Sequence, residues 1–306
     1  MSNKRHSRPL PTFAARETFF GTNNMTPGAA ISLAGVPLDI ATTNRAGARD
    51  GPAAIRRASR MCGGAYPDNW ADMHDLDFAD VGNFSVLMGE LHESLKMIEE
   101  QAAEHEHLIA FGGDHLISLP LLRAAASKHG PLGMVHFDAH VDTWKETYLA
   151  PVSHGTNFYI AINEGLVDPK RMVQIGIRGR VERETWDWTV DQGVTIITAE
   201  EVHMSTPEAV ATRIKHVVGT DKTYMTFDID GLDPSCAPGT GTPEVGGLFT
   251  WQVRAIITRL HGVNFIGMDV VEVAPAYDVG EITALTGAAI AAYYMGLLAA
   301  KKQAGS

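Results

Sequence analysis

The chain has 306 residues, 45% hydrophobic and 20% charged, with a formal net charge of −11. That composition excludes a mainly disordered chain, and the acidic balance argues against a general nucleic-acid binder while suiting a cationic small-molecule substrate. The 30 glycines and 15 prolines follow no fixed period, Cys62 and Cys236 form neither a metal knuckle nor a disulfide framework, and the first residues are basic without an apolar core. No run of about 18 apolar residues is evident, so the expectation is a reduced, cytoplasmic protein with no membrane partner.

In chain order, apolar runs ending in polar residues predict strands at 30–36 (AISLAGV), 108–115 (LIAFGGDH), 132–140 (LGMVHFDAH), 172–178 (MVQIGIR), 194–201 (VTIITAEE), 223–230 (TYMTFDID) and 263–272 (VNFIGMDVVE), with a weaker one at 78–82. Continuous apolar runs suit strands buried on both faces of a parallel sheet. Between them, 90–105 carries Leu91, Leu95, Ile98 and Ala102 at helical spacing, and 119–129, 207–218, 250–261 and 283–301 also predict helices. The last is apolar on more than one face, which predicts burial or packing against another subunit. Alternating strands and helices predict one α/β domain over 29–306, preceded by a loose N-terminal arm over 1–28.

Ligands of open α/β sheets bind beyond the carboxyl ends of the strands. Four tails carry chemistry there: Gly112-Gly113-Asp114-His115, Asp138-x-His140-x-Asp142, Asp228-x-Asp230 and Glu272. Side chains two apart on extended chain share a face, so Asp138, His140 and Asp142 are expected to converge, as are Asp228 and Asp230. Carboxylates gathered in this way would repel and take up protons unless strong positive charge lay among them. A carboxylate-rich set with two imidazoles exceeds the needs of one tetrahedral zinc and suits harder ions.

The blocks FGGDH, HFDAHVDT, SHGT, DIDGLDPSCAPGTGTPEVGG and VVEVAPAYD resemble, in order, the signature blocks of the ureohydrolase family of arginases and agmatinases, and the early block ATTNRAGARDGPAAIRRAS is most similar to that of bacterial agmatinases. The resemblance implies a three-layer αβα sandwich around an eight-stranded parallel sheet, assembled as a homo-trimer or homo-hexamer. It implies two manganese ions, with nickel also compatible with the ligands. His115, Asp138, Asp142 and Asp228 would hold one ion and Asp138, His140, Asp228 and Asp230 the other. It further implies that His154 exchanges protons with solvent, that Asp142 relays a proton to the leaving amine, and that Glu272 grips the guanidinium. The implied reaction cleaves a guanidino compound to urea and an amine, most simply agmatine to putrescine.

Other residues leave alternatives open. Trp144, Lys145 and Glu146 lie in a loop that either faces the substrate tail or points to solvent. If it faces the tail, guanidinobutyrate, guanidinopropionate or a small alkylated guanidine remain candidates. Arg178 and Arg180 suit an anionic tail or surface carboxylates. His105 and His107 are expected at a solvated helix end, His136 as a satisfied core histidine and Cys236 as a loop filler. A single-zinc deacetylase and a non-catalytic subunit are alternatives from other classes; metal stoichiometry separates the first, and a degraded ligand set would mark the second.

Overall fold

The computed structural model describes residues 12–65 and 70–305. The apolar runs become the strands β1 (Ile31–Val36), β2 (Phe78–Asn83), β3 (Leu108–Gly112), β4 (Leu132–Phe137), β5 (Val167–Ile177), β6 (Thr195–Thr198), β7 (Lys222–Asp228) and β8 (Asn264–Val271). They form one all-parallel sheet in the order β2-β1-β3-β8-β7-β4-β5-β6. The weakest strand signal belongs to β2, an edge strand whose carboxyl half is partly exposed and needs no apolar run. Interior strands such as β3 and β4 are buried along their whole length.

Nine helices lie among the described residues: α1 (Gly51–Ser59), α2 (Leu91–Ala102), α3 (Ser118–His129), α4 (Asn157–Asn163), α5 (Arg183–Asp191), α6 (Ala199–Met204), α7 (Pro207–Val218), α8 (Thr250–Ile257) and α9 (Ile282–Ala304). One apolar core joins the sheet to α1, α7, α8 and α9, and a second joins its other face to α2, α3 and α4, giving three layers. Four helices had not been expected. Of these, α6 begins inside the stretch read as the end of a strand, because Thr198 and Glu201 form a reciprocal cap: Glu201 N donates to Thr198 Oγ1 at 3.2 Å, and Thr198 N donates to the Glu201 carboxylate at 2.8 Å. Such a cap satisfies the first free amides of a helix and stops β6 at Thr198.

By length and composition α9 is apolar enough to cross a bilayer, yet 61% of its most apolar window is buried, and it packs on α1 and α8 as a core helix, the burial that its apolar faces predict. Two further readings need correction. The arm is anchored where it is described: Phe19 stacks on Phe111 of β3 with centroids 4.0 Å apart, and its amide donates to Asp80 at 2.9 Å. Residues 1–11 of that arm lie outside the described residues. His107 is half-buried rather than solvated, with Nε2 2.9 Å from the Tyr294 hydroxyl of α9.

Candidate active site

Four adjacent central strands, β3, β8, β7 and β4, deliver the polar tails to one end of the sheet. The tails converge by tight turns rather than by strand alternation, because β4 stops at Phe137 and β7 at Asp228. Asp138 Oδ1 accepts from His140 N at 2.6 Å, and Asp228 Oδ1 accepts from Asp230 N at 2.8 Å. Each aspartate thus folds the chain over itself and brings a second ligand side chain back to the same place. Asp142 and Glu272 have left-handed backbone, at φ 51° and 62°. Non-glycine residues in that region cost about 1–3 kcal/mol each and persist where surrounding structure enforces them. Gly113 supplies the close approach, since a Cβ there would lie 1.9 Å from Leu38 O.

His115 Nδ1 lies 3.1, 3.0 and 3.2 Å from Oδ2 of Asp138, Asp142 and Asp228. Beside it, His140 Nδ1 is 3.2 Å from Asp230 Oδ2 and 3.5 Å from Asp138 Oδ1. All of these side chains are buried except that of His140, which is partly exposed. Burial, then repulsion from Asp138, pushes the Asp142 carboxyl up; burial, then Asp230 and Asp138, pushes Asp228 well above the usual range. Against its own burial, Asp138 is held well below that range by His136, His115 and His140.

The set fits a pair of divalent cations. His115 Nδ1 has no hydrogen-bond partner, yet three carboxylate oxygens surround it, an arrangement a cation among them would satisfy. His136 also lies in the cluster but has no lone pair to offer, which agrees with its reading as a satisfied core histidine. Its Nε2 donates to Asp138 Oδ2 at 2.7 Å, and its Nδ1 accepts from Gln174 Nε2 at 3.1 Å.

A cleft of about 480 Å³ opens over the cluster, lined by His140, Asp142, Trp144, Glu146, His154, Arg180, Glu182 and Thr242 among others. His154 stands at its wall. Its Nδ1 donates to Glu272 Oε1 at 2.8 Å, and its Nε2 lies 3.1 Å from Thr43 N and 2.7 Å from Thr43 Oγ1. Burial alone would lower this imidazole, but the charge and hydrogen bond of Glu272, with Asp142 and Asp114, hold it up at about 9. Glu272 Oε1 also accepts from His115 N at 2.9 Å, whereas its buried Oε2 has no donor.

Trp144 and Glu146 line the cleft, and the exposed Lys145 does not. The Trp144 indole N–H donates to Glu182 at 2.6 Å, which pins the ring as a wall. Arg178 meets neither a substrate tail nor surface carboxylates. Its guanidinium donates to backbone carbonyls of Gly176, Asp230, Gly231, Leu232, Glu244 and Val245, tying the Asp230 turn to the loop that carries Thr242. Cys236 Sγ is 3.3 Å from Asp233 O, as a loop filler would be.

Sequence reasoning passed over Asp114 even though it sits inside the GGDH block. It is fully buried, accepts from Leu116 N and Ala41 N at 3.1 and 2.9 Å, and has its carboxyl raised by burial, then Glu272, to about 7. Thr43 and Glu182 carried no sequence signal at all, since only folding brings them to the cleft.

Taken together, a three-layer α/β sandwich with a carboxylate–imidazole cluster at the carboxyl edge of its parallel sheet offers the ligand set of a binuclear-metal hydrolase. The chain belongs to the arginase family, whose family model matches residues 29–296. It is 43% identical to the agmatinase of Klebsiella pneumoniae (strain 342) over 277 residues, 88% of each chain. Its structure is similar to that of a hypothetical agmatinase from Burkholderia thailandensis, with TM-score 0.87, 42% identity and 96% and 94% of the two chains covered. It is also similar to the proclavaminate amidino hydrolase of Streptomyces clavuligerus, with TM-score 0.91, 34% identity and 95% and 99% covered.

Proposed function

We propose that this chain hydrolyses a guanidino compound to urea and an amine, with agmatine as substrate and putrescine as product. The observation that carries this reading is the cluster of four buried aspartates with His115 and the partly exposed His140, beside a glutamate, Glu272, whose Oε2 has no donor. The likeness to agmatinases over 88% of the chain favours agmatine. His115, Asp138, Asp142 and Asp228 would hold one ion, and Asp138, His140, Asp228 and Asp230 the other. The proposal takes manganese as that metal, with nickel as the alternative. When bound, the two cations supply the Lewis acidity that yields hydroxide from water near neutral pH.

The chain's own groups do the rest. Glu272 takes the planar guanidinium by charge-assisted hydrogen bonds and so orients its carbon, with Oε1 steadied by His115 N and His154. Asp142 receives a proton from the attacking water and passes it to the leaving amine. His154 exchanges protons between the cleft and solvent. A proton gained at its Nε2 is favoured by the neighbouring carboxylates and by the Thr43 hydroxyl oxygen 2.7 Å away, and opposed by the Thr43 amide. Trp144 closes one side of the cleft, while the exposed Glu146 and Glu182 suit the cationic tail of agmatine.

A second substrate reading rests on Arg180, which lines the same cleft with no ion pair or hydrogen bond among the described residues. It favours guanidines with a carboxylate tail, such as guanidinobutyrate or guanidinopropionate. The cytoplasmic setting, the lack of a nucleic-acid or membrane partner, and the homo-trimer or homo-hexamer belong to the same proposal. Light scattering after size-exclusion chromatography tests the assembly.

The deciding experiment is urea release by manganese-loaded and nickel-loaded protein against agmatine, guanidinobutyrate, guanidinopropionate, arginine and small alkylguanidines. Dominant turnover of agmatine is expected. Turnover of a carboxylate-tailed guanidine alone would move the assignment to Arg180, and no urea from any of them would overturn the reaction class.

A further inference from the structure

Thr226 of β7 and Asp269 of β8 are paired across the sheet ladder, behind the turns that carry Asp228 and Glu272. Asp269 has no solvent exposure and no salt bridge among the described residues, and it accepts three hydroxyl hydrogen bonds instead. Thr226 Oγ1 donates to its Oδ1 at 2.6 Å, while Ser118 Oγ and Tyr224 OH donate to its Oδ2 at 2.8 and 3.0 Å. A carboxylate in such a place is costly to bury, and apolar side chains would fill the gap between strand and helix at less cost.

Proton counting gives it a purpose. A hydroxyl has one proton, and Thr226 spends its own on Asp269. Its oxygen therefore accepts in the 2.8 Å contact with His115 Nε2, so the imidazole proton is on Nε2. In the neutral ring that a metal ligand requires, the lone pair is then on Nδ1, the atom that faces Asp138, Asp142 and Asp228 without a hydrogen-bond partner.

We infer that Asp269, acting through Thr226, is the remote carboxylate that fixes the tautomer and ring orientation of His115 and presents Nδ1 to a divalent cation. Both are positioning residues, since neither touches substrate. Ligand histidines are commonly oriented by a carboxylate on their far nitrogen, and a threonine hydroxyl is here interposed between the two. The inference rests on the metal-centre reading above.

The test compares Thr226→Val, which keeps the volume but removes donor and acceptor, with Thr226→Ser, which keeps both, and with Asp269→Asn. Manganese binding to chelator-stripped protein is measured by competition with a chromogenic chelator, and the His115 tautomer by nitrogen NMR of histidine-labelled protein. Thr226→Val and Asp269→Asn are expected to weaken one of the two ions about 10- to 100-fold. Thr226→Ser is expected to restore binding, and the Nε2–H signal is expected in the parent chain and in Thr226→Ser but not in Thr226→Val. If Asp269→Asn fails to fold, the near-isosteric threonine pair decides. Unchanged affinity for both ions, or an Nε2–H tautomer that survives in Thr226→Val, overturns the inference while leaving the metal centre intact. A parent chain that binds no divalent ion overturns the metal reading itself.

Discussion

Replacing Glu272 by glutamine separates charge from shape. Glu272 Oε1 accepts from His115 N at 2.9 Å and from His154 Nδ1 at 2.8 Å, and the glutamine carbonyl oxygen can take both contacts. The fold and the six side chains of the cluster are therefore left alone, and what changes is the oxygen that has no donor, Oε2, which becomes an amide. A hydrogen bond to a charged group contributes about 1.5–3 kcal/mol against about 1 kcal/mol for a neutral one. Losing the charge and one arm of the guanidinium fork thus costs about 2–4 kcal/mol, or roughly 30- to 1000-fold in kcat/KM. The imidazole of His154 also falls from about 9, because the Glu272 carboxylate is the main group that raises it. Urea release under steady-state conditions, elemental metal analysis and thermal unfolding are measured on the same preparation. Metal content and melting temperature should match the parent protein. A kcat/KM within about threefold of the parent, or loss of metal, would refute the role given to Glu272.

Other perturbations probe other parts of the molecule. Asp138→Asn removes a carboxylate shared by both ligand sets and should abolish urea release; normal turnover with two bound ions would overturn the ligand assignment. His154→Ala should slow turnover with partial rescue by added imidazole, and an unchanged rate would take His154 out of the proton path. Gly113→Ala forces a methyl against Leu38 O and should cost about 3 kcal/mol in urea denaturation, where a change under about 0.5 kcal/mol would mean the backbone yields freely. The His107 imidazole is lowered by burial, then by Lys301 and His129, to about 4, so below pH 6.5 the unfolded chain takes up a proton that the folded chain refuses. Stability is then present in full above pH 6.5 and falls by about 3 kcal/mol on acidification to pH 4. Unfolding of His107→Asn should lack that part of the acid dependence, and an identical pH profile would show that His107 is not the group responsible.

Much of the fold was legible because central parallel strands are buried on both faces and write themselves as apolar runs. β7 and β8 were found within two residues at each end, and α7 was found with its bounds as they stand. The failures have local causes. β6 was run on into α6 because a capping box is easily lost beside an apolar stretch, α4 was missed because it is only seven residues long, and α5 because it buries only Thr189. His107 read as solvated because the residue that covers it, Tyr294, lies 187 positions away.

At the site, residue types and strand ends suffice to nominate His115, Asp138, His140, Asp142, Asp228 and Asp230, since a carboxylate or imidazole at the end of a buried strand is a local property of the chain. The same property made Glu272 visible. Which atoms face one another is not local. It depends on β3, β8, β7 and β4 lying side by side, an order set by pairing between segments far apart in sequence. Only that order puts Thr226 between Asp269 and His115, gives His154 its bonds to Thr43 and Glu272, and turns Arg178 onto six backbone carbonyls. Protonation and tautomer follow from those contacts, because burial and neighbouring charge, rather than residue type, decide where a proton rests.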